Sequence, residues 1–193
     1  MGNNLYDQNI FTKIQDIGYT YWLYIKSLFK SFQNQSLSRA TVKYCTFIGY
    51  SKSGKTFLSS LLDAHPHIVF ANELPILKYI YLGFSRQQIF NIILENSSTF
   101  TEIGRKSRGY SYIVPNQWQG RFNSPLKVIG DENGEGTTLR LRGRLWMLER
   151  LYKTMGINTK FIHVVRNPFD NISYMAMVNK KKYINKLTLK ECI

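Results

Sequence analysis

Gly49, Gly54, Lys55 and Thr56 stand at the spacing G-x-x-x-x-G-K-[ST], directly after the apolar run Tyr44-Cys-Thr-Phe-Ile48. A short strand that empties into a glycine-bracketed loop and then a helix aims several backbone N–H groups at one point, and the helix terminus adds positive potential there. Such a loop suits an anion, a phosphate or a sulfate ester. In its nucleoside triphosphate version the Lys reaches the β- and γ-phosphates and the Thr hydroxyl holds Mg²⁺. Asp131, after Leu126-Lys-Val-Ile-Gly130, is the candidate acidic partner for that chemistry. It is a weak one, because Lys127 interrupts its strand, and a loop role is the competing reading. A second constellation lies far along the chain. Arg166 ends an apolar strand and Ser173 follows seven residues later on the next helix, which points a charge-assisted donor and a hydroxyl at one phosphate.

Between these two sets stand Leu61-Leu-Asp-Ala-His-Pro-His-Ile68 and Ala71-Asn-Glu-Leu74, and around the second set Val164-Val-Arg-Asn-Pro-Phe-Asp-Asn-Ile-Ser173. In this order they resemble a sulfotransferase, whose strand–loop–helix reads [KR]-S-G-[TS] and whose later strand ends R-[DN]-P with a Ser seven positions after the Arg. The resemblance runs from Tyr44 to about Val178 and looks like the branch acting on carbohydrate or protein hydroxyls. It implies 3′-phosphoadenosine 5′-phosphosulfate as donor, with no metal. By it, Lys52, Ser53, Gly54 and Thr56 bind the 5′-phosphosulfate, and Arg166 and Ser173 the 3′-phosphate; Ser51 and Lys55 belong to the same loop. Lys55 departs from the family, which more often has a small polar residue there; an extra cation could tighten phosphosulfate binding or shift nucleotide choice.

Sulfuryl transfer needs a base for the acceptor hydroxyl and a cation for the charge left on the nucleotide. Glu73 is the candidate base, following the second predicted strand at the edge where parallel sheets place ligands. Its competing reading is a surface Glu capping a helix that starts at Leu74 or Pro75. Lys52 is the candidate cation, against a solvated loop lysine. His65 and His67 read as structural residues, and His163, inside an apolar strand, as a core histidine.

Positioning these residues takes an α/β fold, a parallel β-sheet flanked by helices, which by the resemblance has P-loop NTPase-like sulfotransferase architecture. Strands are predicted at 42–48, 68–71, 126–130 and 160–166. Helices fill the gaps: one from Lys55 to about Ala64 with Leu58, Leu61 and Leu62 toward the sheet, and one opened by the capping box at Ser85 that buries Ile89, Phe90, Ile92 and Ile93. Another starts near Thr137 or Thr138, with Leu141, Leu145, Leu148, Tyr152 and Met155 on one stripe and Gly156 at its end. A fourth has Asn167 as N-cap and Pro168 in its first turn. Residues 97–125 lose periodicity but keep their aromatics, so a packed lid on the acceptor side is expected rather than disorder.

Residues 1–40 form an N-terminal appendage and linker, and 41–193 one nucleotide-binding domain. Over residues 7–32, Ile14, Ile17, Tyr21, Ile25, Leu28 and Phe32 share one stripe of an amphipathic helix. It reads as docked on the domain; a helix lying in a membrane interface is the sharper alternative, through Trp22, the tyrosines and flanking lysines. With 26 Lys+Arg against 12 Asp+Glu the net charge is +14, which calls for a polyanionic partner. The basic residues are dispersed and carry no nucleic-acid-binding motif, which sets nucleic acid aside. Two cysteines, Cys45 in a predicted strand and Cys192 near the end, make a disulfide framework implausible and a reducing, cytoplasmic compartment the default. Sulfotransferases continue further beyond the 3′-phosphate site, so a shortened C-terminal part is expected, with Lys180-Lys-Lys182 a substitute for the missing charge. The reading is a sulfotransferase with a hydroxyl acceptor, a glycan, protein or small molecule. Its alternatives are a P-loop ATP- or GTP-dependent kinase or NTPase, and a nucleotide-binding remnant without turnover.

Overall fold

A computed structural model describes residues 4–33, 41–107 and 109–182. Part of the N-terminal appendage and linker expected at 1–40, and Cys192, lie outside them. Four strands, β1 (Lys43–Ile48), β2 (Ile68–Asn72), β5 (Val128–Glu132) and β6 (Asn158–His163), form one parallel sheet in the order β2-β5-β1-β6. A two-stranded hairpin, β3 (Lys106–Ser107) with β4 (Tyr110–Ser111), stands apart from it. The helices are α1 (Asn4–Gln33), α2 (Lys55–Asp63), α3 (Ile76–Tyr81), α4 (Arg86–Glu102), α5 (Gly134–Gly143), α6 (Trp146–Met155) and α7 (Pro168–Lys182).

The main core lies between the sheet and α3, α4 and α6, where Tyr44, Val69, Ile89, Ile93, Ile129 and Leu151 are buried together. Phe47 and Phe70, whose alternation along their strands turns them to the other face, are buried and meet edge to face at 5.6 Å. The capping box at Ser85 forms, and α4 buries Ile89, Phe90, Ile92 and Ile93 as expected. Asn167 caps α7, its side-chain oxygen accepting from Phe169 N at 3.0 Å.

Several expectations are corrected. The fourth strand ends at His163, and as an edge strand it leaves His163 exposed rather than in the core. The third is shifted two residues toward the C-terminus, so Asp131 and Glu132 belong to β5 instead of the loop after it. The helix expected from Thr137 to Met155 breaks at Gly143–Arg144 into α5 and α6, and this leaves Leu145 and Tyr152 exposed while Met147, Leu151 and Met155 take the core. On α2 the buried face is Lys55, Ser59, Ser60 and Asp63, and Leu61 is exposed. The reason is a polar network: Asp63 accepts from Arg105, Ser97, Phe70 N and Gly120 N, so a carboxylate rather than a leucine points inward.

The N-terminal helix docks, but through another face. Leu23 and Ser27 are buried toward α4, where Gln88 donates to Ser27 at 3.1 Å and Glu95 pairs with Lys26 and Lys30. The stripe of Ile17, Tyr21 and Ile25 faces outward. Among the described residues no helix is long and apolar enough to cross a membrane.

Candidate functional site

At the carboxyl ends of β1, β2 and β5 lies a cleft of about 270 Å³, the region where parallel sheets bind ligands. Its floor is the loop after β1. Gly54 there adopts φ of 96° as the N-cap of α2, a left-handed conformation that glycine takes without the Cβ clash of other residues. Four described non-glycine residues also have positive φ, and two of them, Lys52 at 63° and Glu73 at 48°, line this cleft. Holding such residues in a sparsely populated conformation costs on the order of 1–3 kcal/mol each, and proteins concentrate that strain at ligand sites.

The cleft gathers Ser51, Lys52, Gly54, Lys55, Thr56, Glu73 and Arg166. Arg166 leaves the end of β6 and donates to the carbonyl of Lys52 at 3.3 Å, so the two expected anion sites adjoin one opening. Tyr174 lies between the cations: Lys52 Nζ and the Arg166 guanidinium each sit 5.9 Å from its ring centroid. Ser53 and Ser173 are not on the lining. Ser53 turns inward and donates to the carbonyl of Tyr50 at 3.1 Å, and Ser173 is exposed on α7, one residue before Tyr174.

Lys55 is held away from solvent. Its ammonium donates to the carbonyl of Tyr50 at 3.1 Å and stands 4.0 Å from Glu132. The side chain passes so close to Gly134 that a Cβ there would meet Lys55 Cδ at 2.4 Å, so the start of α5 must be glycine for the lysine to lie in this slot. Glu132 also accepts a hydrogen bond from Thr56 at 3.0 Å. Burial pushes its carboxyl up to about 7, against the opposing pull of Lys55 and Thr56. Asp131 points the other way, fully buried and bonded to the Tyr44 hydroxyl, and burial pushes it to about 7 as well. The carboxylate beside the loop is therefore Glu132.

Sequence reasoning missed Glu132, Phe57, Tyr174, the hairpin residues Ser107 and Tyr110, and Tyr112 just after the hairpin, all on the cleft lining. Glu132 was legible as the second acid after an apolar strand once β5 is extended by two residues. The hairpin residues had no signal beyond their aromatic character. The connection carrying them is sewn to the end of α2: Trp118 N donates to Ala64 O, Asn123 N to Pro66 O, and Gln119 to Ser60 O. The expected packing of this connection is found. His67 supports it, with Nδ1 within 3.0 Å of Pro125 O and 3.2 Å of Asn123 O.

No protein-family model matches the chain, and neither does any curated protein.

Proposed function

We propose that this protein is a sulfotransferase that moves a sulfuryl group from 3′-phosphoadenosine 5′-phosphosulfate to a hydroxyl acceptor. The observation carrying this reading is one cleft that joins the anion loop, Lys52, Arg166 and Glu73. The loop amides would take the 5′-phosphosulfate, and Arg166 the 3′-phosphate. Glu73 would accept the acceptor's hydroxyl proton as its oxygen attacks sulfur and the bond from sulfur to the phosphate oxygen breaks. Lys52 would meet the charge left on that oxygen, and adenosine 3′,5′-bisphosphate departs. Tyr110 of the hairpin and Tyr112 just after it would form the wall left for the acceptor.

A second reading has a specific observation in its favour. The contact of Thr56 with Glu132 is the pairing of loop hydroxyl and strand carboxylate that P-loop NTPases use around Mg²⁺. A P-loop kinase or NTPase is therefore the rival.

Parallel calorimetric titration with adenosine 3′,5′-bisphosphate, ADP and MgATP separates them. We expect the bisphosphate to bind without added metal and more tightly than ADP by about 1.5–3 kcal/mol, the worth of one charge-assisted contact. Equal affinity for ADP, or strict dependence on Mg²⁺, assigns the cleft to the NTPase class. Transfer from labelled donor to glycan and tyrosine-containing acceptors should fall roughly 10²–10⁴-fold in Glu73→Gln with nucleotide affinity kept. A parent protein that binds donor and transfers to nothing is a binding remnant.

A further inference from the structure

We propose that the protein docks on an anionic lipid bilayer through the outward face formed by α1, the end of α3 and the start of α6. Ile17 and Tyr21 of α1 are 69% and 68% exposed, and with Leu82 and Phe84 they wall an apolar groove of about 440 Å³. A second exposed set adjoins the groove in the chain at the end of α3. Tyr81 precedes Leu82, its ring lies 6.1 Å from that of Trp146, and Leu145 beside Trp146 is 75% exposed.

The chemistry of this face is that of a headgroup boundary rather than of a protein core. Tyr and Trp present an apolar ring body and a polar tip, which suits the interface between acyl chains and water. Arg144 stands over the Tyr81 ring at 5.5 Å and Arg142, two residues before it, is exposed, so this end of the face carries cations for lipid phosphates. Lys78 and Asp16 at the groove neutralise each other at 2.7 Å. Charge selects the occupant: two copies of a chain carrying +14 repel one another, whereas an anionic surface attracts each. The outward turn of the apolar stripe on α1 then has a physical use, because its opposite face is already spent on α4.

The test is co-sedimentation of the full chain with vesicles of phosphatidylcholine alone and of phosphatidylcholine containing phosphatidylserine, at physiological salt, with tryptophan emission read in parallel. We expect binding to the anionic vesicles only, with a blue shift. Arg142→Gln with Arg144→Gln should weaken it roughly 20–30-fold, from about fivefold per basic residue near the surface. Tyr81→Ser with Trp146→Ser should also weaken it, with an unchanged circular-dichroism melt as the fold control. Three results overturn the proposal: no association with either vesicle, association undiminished in the Tyr81/Trp146 variant, which means diffuse attraction by net charge, or a concentration-dependent dimer dispersed by Tyr21→Ser, which makes the face a self-interface.

Discussion

Helix α2 carries an ion pair at each end, and the two are built differently. At its C-terminal end Asp63 and Arg105 are 0% and 1% exposed in their side chains, meet at 2.6 Å, and the carboxylate has three further donors. At its N-terminal end Lys55 and Glu132 are nearly as buried, yet stand 4.0 Å apart and face a cleft. The first pair is closed: every partner it uses is part of the fold. The second is open, a lysine and an acid held near each other with room for an anion beside them. A buried pair of the first kind locks chain segments together, and one of the second kind sets the charge of a site. The motif lysine is thereby tied to the Tyr50 carbonyl and Glu132 at the cleft's edge, and among the described residues Lys52 and Arg166 are the other cations on its lining.

The largest effect should come from breaking the closed pair. Asp63→Ala leaves the Arg105 guanidinium buried and without its carboxylate, a change that typically costs about 3–5 kcal/mol. It also frees the connection after α4, because Gly120 loses its acceptor. Urea unfolding monitored by circular dichroism measures this. A loss below about 1 kcal/mol would mean that water reaches Arg105, and the contrast between the two ends of α2 would dissolve. Asp63→Asn, which keeps the shape and a carbonyl acceptor, should be milder.

How much of this was legible depends on whether apolar periodicity or polar partnership decided the outcome. The four parallel strands, the Ser85 and Asn167 caps and the core of α4 follow from hydrophobic runs and local capping chemistry, which act over a few residues. The faces of α1 and α2 do not. Ser27 is buried on α1 because α4 offers it Gln88, and Lys26 and Lys30 are drawn to the same side by Glu95, partners more than sixty residues away. Asp63 is buried on α2 because Arg105 arrives from another segment. A helical wheel cannot contain such partners. Of the candidate site, the loop was readable from motif spacing, Arg166 and Lys52 from the resemblance, and Glu73 from its place after the second predicted strand, whereas Glu132 was hidden by a strand boundary misplaced by two residues. Tyr174 was hidden by its place beside Ser173, which the motif favoured.

A middle-sized effect should follow from Arg166→Ala. Its side chain is exposed and, among the described residues, contacts the Lys52 carbonyl and the Tyr174 ring, so stability should hardly change. Binding of adenosine 3′,5′-bisphosphate should weaken by roughly 1.5–3 kcal/mol while ADP is nearly untouched, because only the former presents a group to it. Equal weakening of both ligands would make Arg166 a support for the loop and would shrink the open cluster to Lys52 alone.

The smallest effect concerns the open pair itself and is read in pH. Burial holds the Glu132 carboxyl near 7, so it is mostly neutral at pH 6 and mostly anionic at pH 8. An anionic ligand in the same cleft meets one more negative charge at the higher pH, and its affinity should fall as pH rises through 7. At about 4 Å in a water-like dielectric that charge is worth on the order of 1 kcal/mol, about fivefold in affinity. Stability follows the same sign. A carboxyl raised from about 4.3 in the unfolded chain favours folding below that value and loses the contribution as pH climbs through 7. Glu132→Gln removes the larger, cleft-facing share of this titration, leaving only the buried Asp131 to titrate near 7, and should give nucleotide affinity that is flatter between pH 6 and pH 8, higher at pH 8, with Lys55 still donating to the Tyr50 carbonyl. Calorimetry at the two pH values, on parent and variant, measures it. If the variant keeps the parent's pH dependence, another group titrates in the cleft, and the Lys55–Glu132 pair is as closed as the one at the far end of the helix.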